Sequence, residues 1–341
     1  MLGRRVGRQI GRLGPGFVTA LIDEVLAGAD MVCGNLEAPL CSRPEPEGAL
    51  RADPSAVAAL RRFHVVSLAN NHIYDCGEEG VEETLATLRR AGIRAIGIGD
   101  SEEAALAPAV LTADGLAVGF IGCVSRSLLA PGARRHVLGE LESPDLPGCV
   151  AAARERVDAV ILNVHAGNEH VAFPQPSLRA RAIELCRAGA DVVLTHHPHV
   201  MGGHERAGRS LVWHSLGDFV FDGATDARRR GGVLRLTVGG GPVAFELIPT
   251  HITADLQAAP APPPVAARVM SDAERVAEAL GRPRYSRRYP WRYVGALARA
   301  QVEGIRAAHR GDGTSGALRR AARLVRFAPA HASKLLKGRF M

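Results

Sequence analysis

Aromatic residues make up only 4% of the 341 residues, so Val, Leu, Ile and Ala must supply most of the core. No stretch approaches the ~18 uninterrupted apolar residues that a bilayer-crossing helix needs, so a transmembrane span is not expected. The opening segment MLGRRVGRQIGRLGPG is basic but has no apolar central run, so as it stands it is not a signal peptide. A cytoplasmic location follows as an expectation. The six cysteines, Cys33, Cys41, Cys76, Cys123, Cys149 and Cys186, include no CxxC pair and no dense framework. That excludes a disulfide-built miniature fold and predicts buried or free thiols in a reducing compartment. No internal repeat is visible, which excludes a solenoid.

What is present is the composition of an ordinary globular chain, 47% hydrophobic and 23% charged, with 38 Gly and 21 Pro pointing to many loops. The net charge of +7 is unevenly placed. Residues 266–341 hold 17 of the 42 Lys and Arg but 5 of the 35 Asp and Glu, so the basic surface belongs to the C-terminus.

The first 250 residues alternate short apolar runs with helical segments. Strands are predicted at Met31–Leu36, His64–Leu68, Arg94–Ile98, Ala159–Val164 and Asp191–Leu194. Helices are predicted at Phe17–Ala27, Val81–Ala91 and Ser177–Ala188. Val110–Thr112 and Leu116–Val124 flank Asp114-Gly115, a hairpin signal. Later runs, Ser210–His214, Phe219–Phe221, Val233–Val238 and Val243–Pro249, are separated by Gly-rich turns and read as antiparallel. The pattern predicts a mixed α/β sandwich domain over 1–255, a Pro/Ala linker over 256–265 and a basic helical tail over 266–341.

Histidine placement carries the chemistry. Seven of the 13 histidines fall between His165 and His214, three of them in Thr195-His196-His197-Pro198-His199. In extended chain His197 and His199 share a face and His196 points away. Two adjacent imidazoles suit a transition metal such as Zn, Mn or Fe. Other apolar strands also end in ligand-type residues: one in His165, one in Asn70-Asn71-His72, and one in Asn35-Leu36-Glu37. In open α/β sheets such ends meet in one crevice, so Glu37, Asn71, His165, His197 and His199 are expected to converge.

NLEAPL, SLANNHIYDCGEEGVEETLATLRRAGI, NVHAGNE, GADVVLTHHPHV and SLGDFVFD resemble, in order, the motifs of the bacterial CapA family of poly-gamma-glutamate capsule synthesis, related to calcineurin-like metallophosphatases. The resemblance covers roughly residues 1–250. It implies a four-layer α-β-β-α sandwich of the metallophosphatase type holding two divalent transition metals (Mn, Fe or Zn). It further implies that Glu37 bridges the metals, that Asn71, His165, His197 and His199 ligate, and that His72 protonates the leaving oxygen. Asn35, Glu169, His196, Glu205 and Asp218 are the implied surrounding shell, with Ser215 in support.

Three positions depart from the family pattern. The chain opens at Met1-Leu2-Gly3-Arg4-Arg5, where the family has an apolar strand ending in Gly-Asp just before a similar segment. Either the start lies too far downstream, which is the expectation, or this protein lacks a strand and a carboxylate ligand. The Trp that follows the strand-end histidine is Ala166 here, which would open the pocket. The Asn of the SLGNF-type motif is Asp218, whose charge would compensate a missing ligand.

The expected activity is hydrolysis of a phosphate ester, with a phosphate ester or an anionic capsule polymer as partner. The alternative is a non-catalytic role in polymer synthesis or export around a structural metal site. The tail segment Ser315–Phe340 alternates Leu and Ala with Arg and Lys, suiting an anionic membrane surface, and membrane association is the corresponding expectation. Nucleic acid is not favoured, because the aromatic cluster Tyr285, Tyr289, Trp291 and Tyr293 matches no binding module.

Overall fold

A computed structural model describes residues 1–43, 49–132, 134–223 and 225–308. Three short parallel strands, β1 (Cys33–Asn35), β2 (Val65–Ser67) and β3 (Arg94–Ile96), form one sheet in that order. β4 (Ile98–Gly99) leaves its end to pair with β7 (Val137–Leu138). A six-stranded sheet is built from β5 (Ala109–Ala113), β6 (Leu116–Val124), β8 (Ala159–His165), β9 (Val192–His196), β10 (His204–Ala207) and β11 (Ser210–His214). Its order is β10-β11-β9-β8-β6-β5, with the four central strands parallel and antiparallel edges. β12 (Arg230–Thr237), β13 (Ala244–Ile252) and β14 (Ala258–Pro260) make an antiparallel meander.

Sequence explains the large sheet. β8, AVILNVH, is buried at every position, as expected of a central parallel strand covered on both faces. Its outer face packs on α5 (Leu146–Arg154) and α6 (Pro176–Ala188) through Leu162, Val164, Val150 and Leu185. Its inner face meets the other two sheets through Ile161, Phe120, Leu194 and Trp213, against Val65 and Ile96 on one side and Leu236 and Phe245 on the other. α1 (Arg4–Leu13), α2 (Asp23–Ala27) and α3 (Gly77–Arg90) cover the far side of the β1–β3 sheet. The result is the predicted four-layer α-β-β-α sandwich. The Asp114-Gly115 turn, with φ of 50° and 79°, closes the predicted hairpin between β5 and β6.

Several local expectations change. Phe17–Ala27 is not one helix: Pro15–Ile22 is 3₁₀ and only Asp23–Ala27 is α-helical. Phe219–Phe221 forms no strand, because Ser215 and Gly217 both turn with positive φ, and Leu216 and Gly217 bridge to Met201 and Gly231 on either side. The Pro/Ala run read as a linker is β14, an edge strand, followed by α7 (Pro263–Gly281). Proline fits both places, since an edge strand and a first helical turn each leave a backbone N–H unneeded. α7 then packs on the core through Val269 and Ala273.

Residues 285–308 are helical. Tyr285, Tyr289 and Tyr293 recur every four residues and bury one face on Val171 and Phe173, while Trp291 on the opposite face is 80% exposed. The aromatic cluster is therefore packing. The basic segment Ser315–Phe340 lies outside the described residues. Among the described residues no helix is long and apolar enough to cross a membrane. Tyr289→Ala should lower the unfolding free energy by about 3–5 kcal/mol, and Trp291→Ala by less than about 0.5, measured by urea denaturation. Equal effects would contradict this packing.

Candidate metal centre

Four parallel strands deliver the site. β1 leads into Glu37 and β2 into the Asn70–His72 turn on one sheet; β8 ends at His165 and β9 at His196 on the facing sheet. The carboxyl ends of both sheets thus open on a common crevice, and the predicted ligands meet there. Glu37, His197 and His199 are all buried, with ligand atoms within 4.8 Å of one another. His165 Nε2 lies 3.7 Å and His199 Nε2 3.4 Å from the same oxygen, Glu37 Oε1. Asn71 Oδ1 joins them through a 2.8 Å contact with His165 Nε2.

The two loop histidines converge by a different route from the one strand alternation implies. His197 and His199 lie beyond the end of β9 with φ of 98° and 56°. A tight turn, not extended chain, sets their rings 6.0 Å apart, with His197 5.0 Å from His165. Positive φ is unfavourable for side chains larger than Gly, and such strain gathers at functional sites.

The electrostatics favour a cation. Burial alone would raise the Glu37 carboxyl, but His199, His165 and His197 around it hold it far below the usual carboxylate range. Burial would lower His199, yet Asp218 and Glu37 outweigh it and raise the imidazole to about 10. Burial pushes His165 well down and lowers His197, so both are neutral, ligand-ready imidazoles. Two carboxylates therefore face one imidazolium. Glu37 Oε1, His165 Nδ1 and His197 Nδ1 are buried without hydrogen-bond partners, each an orphan costing about 1–3 kcal/mol. This carboxylate–imidazole donor set fits Zn, Mn or Fe. A cavity of about 570 Å³ adjoins it, with Glu37, His197 and His199 at one wall and apolar groups from β1, β6 and β12 elsewhere. Such low-dielectric walls strengthen charge interactions inside.

Supporting residues divide. Asp218 accepts from His199 Nδ1 at 2.7 Å, fixing which nitrogen faces Glu37. It orients His199 and is not itself in the cluster. Asn35 donates to Glu37 Oε2 at 3.3 Å. His196 turns away to Asn163, at 3.3 Å, and burial lowers it to about 4. Ser215 Oγ donates to Val200 O, pinning the histidine turn. His72 Nδ1 contacts Asp75 Oδ2 at 2.9 Å on the adjoining turn.

Three residues stand apart from the cluster. Glu205, on β10, contacts His214 at 3.1 Å and pairs with Arg179 of α6, away from the predicted ligands. Glu169 is half-exposed, 3.9 Å from His170 at the rim, because its loop turns outward after Gly167. Ala166 faces the helices with Val164 and Leu178, since alternation along β8 sends it opposite His165; it opens no pocket.

Sequence reasoning missed four residues. Asn70 is buried, donating to Leu36 O at 2.9 Å and accepting from His72 N at 3.1 Å, so it ties two site loops. Its doubling with Asn71 was the available signal. Asp75, three residues after His72, belongs to the same turn. Phe221 packs against His199 at 4.9 Å. Arg228 stacks on Phe221 at 4.6 Å, with Nε 3.6 Å from Asp218 Oδ2, and only the turned chain brings it there.

His199 titrates above the 6.5 of a free imidazole, so its stabilisation of the metal-free fold is complete below about pH 6.5 and lost as pH rises toward 10. Glu37 works oppositely: its contribution is present above ordinary carboxylate values and lost as pH falls. Zinc binding to metal-free protein at pH 7.5 should therefore release about one proton per chain from His199. Calorimetry in buffers of differing ionisation enthalpy measures this, and no release would refute the imidazolium.

The chain is 29% identical to the capsule biosynthesis protein CapA of Bacillus anthracis, over 65% of this chain and 58% of that protein. It is 28% identical to the PGA biosynthesis protein CapA of Bacillus subtilis, over 77% of this chain and 71% of that one. The match therefore spans about three fifths to seven tenths of these relatives. Among solved structures, a 5′-nucleotidase precursor of Thermus thermophilus is similar over 76% of this chain and 52% of that one, with 18% identity and a TM-score of 0.46. The model of the family described as bacterial capsule synthesis protein PGA_cap matches residues 1–223, and the chain belongs to that family.

Proposed function

We propose that this chain is a metal-dependent hydrolase of phosphate esters acting in the making of a capsule polymer. The observation that carries the reading is Glu37 Oε1, buried and unpartnered while His165 and His199 face it from two sides. Glu37, with His165, His197 and His199, would hold the metal. Two divalent transition metals bound there would polarise phosphate oxygens and acidify water.

The chain's own groups supply the rest. Asp218 holds His199 in one orientation, and Asn35 holds Glu37. His72, partly exposed, has Nδ1 engaged with Asp75, which leaves Nε2 to give a proton to the departing alkoxide. Arg228 offers a guanidinium at the rim, suited to an anionic oxygen of the substrate. The apolar cavity wall excludes water and strengthens these contacts.

A second reading has support in the names of the family and its relatives: the metal site is structural, and the protein handles an anionic polymer without turnover. Leaving-group dependence separates the two. His72→Ala should lower kcat on phenyl phosphate about 100-fold. The loss should be much smaller on p-nitrophenyl phosphate, whose leaving group needs no proton, and metal content should be unchanged. Absence of turnover by metal-loaded wild-type protein on any aryl phosphate favours the structural reading.

A further inference from the structure

Two thiols outside the proposed chemistry lie directly behind it. Cys41 follows Glu37 by four residues and Cys76 follows His72 by four, and both are buried. The Cys41 segment runs along the first turns of α3, the helix that Cys76 caps. Leu40 N donates to Thr84 Oγ1 at 2.9 Å, Ser42 N to Glu83 Oε2 at 2.8 Å, and Cys41 N to Ala52 O at 2.8 Å. These bonds fix Cys41 against the helix start, where Cys41 Sγ and Cys76 Cβ both crowd Gly80. Gly80 makes the approach possible. A Cβ at that position would lie 2.5 Å from Cys76 Cβ and 3.7 Å from Cys41 Sγ, so any side chain there would push the pair apart.

We propose that Cys41 and Cys76 form a disulfide in oxidising surroundings, tying the segment that carries Glu37 to the turn that carries His72. Two S–H bonds break and one S–S bond forms. The two electrons and two protons pass to a low-molecular-weight disulfide such as glutathione disulfide, which leaves as two thiols. In the finished fold, burial and the adjacent Cys41 push the Cys76 thiol up to about 12, which disfavours the reactive thiolate, so the bond forms while the chain is folding and the thiols are still open to the oxidant. The crosslink leaves the donor set unchanged and restricts the separation of two site loops. It is independent of whether the site hydrolyses phosphate esters.

The test is refolding of the full chain with a glutathione redox couple, alkylation of remaining thiols, and mass spectrometry of an unreduced digest. The expected result is a peptide pair joined through Cys41 and Cys76, two hydrogens lighter than its parts, with Cys33, Cys123, Cys149 and Cys186 alkylated. Thermal unfolding should then occur at higher temperature for oxidised than for reduced wild-type protein. A Cys41→Ser/Cys76→Ser double variant should melt at one temperature in both conditions. Full alkylation of Cys41 and Cys76 in the folded oxidised product, or pairing of either with another cysteine, would overturn the proposal. So would a redox-dependent melting shift that persists in the double variant.

Discussion

The Glu37 carboxylate is buried where His165, His197 and His199 surround it, and most of the site can be understood as a response to that charge. Removing a carboxylate from water is costly unless it is paired. Here His199 takes a proton, braced on its far side by Asp218, while Asn35 covers the second oxygen. Even so, Oε1 keeps no hydrogen bond and both His165 and His197 retain an unpartnered ring nitrogen. A fold that needed only internal stability would close these gaps with apolar groups. Their persistence at the junction of two sheets is physically sensible when a cation completes the set.

The sandwich exists to hold these groups at fixed distance. Each ligand follows a strand whose register is set by its neighbours: His165 stands opposite His196 across β8 and β9, and Asn35 opposite Ser67 across β1 and β2. The two sheets share one apolar layer, with Val65 and Ile96 facing Phe120, Ile161 and Leu194. Slippage of either sheet by one residue would turn its ligand-bearing faces away. The last placement is made by loops under backbone strain, at His197, His199 and Ser215, and these are pinned by hydrogen bonds such as Ser215 Oγ to Val200 O.

What sequence could reveal follows from this division. Strand ends were readable because an apolar run stopping in His, Asn or Glu is unusual, and the convergence of Glu37, Asn71, His165, His197 and His199 could be expected that way. The hairpin at Asp114-Gly115 was readable because only a few residues adopt that turn. Where Glu205 and Glu169 would sit was not legible, because an acid near a histidine-rich stretch says nothing about which way its loop turns. Arg228 and Phe221 stayed hidden because they reach His199 only after the chain reverses at Ser215 and Gly217. The elements formed by the Pro/Ala run were not legible, since proline's exclusion from helix interiors and inner strands does not extend to first turns and sheet edges. Two substitutions against the family pattern also resolved differently: Asp218 braces a ligand, and Ala166 fills the core.

The account rests on cations being held by Glu37 and the histidines around it. The most direct measurement is anomalous X-ray scattering from crystals of the purified protein, collected on either side of the zinc, iron and manganese absorption edges. The account predicts strong peaks about 2.0–2.2 Å from Glu37 oxygen and from imidazole nitrogens of His165, His197 or His199. An ordered pocket with these side chains in place, no anomalous peak among them and no metal taken up on soaking would contradict it.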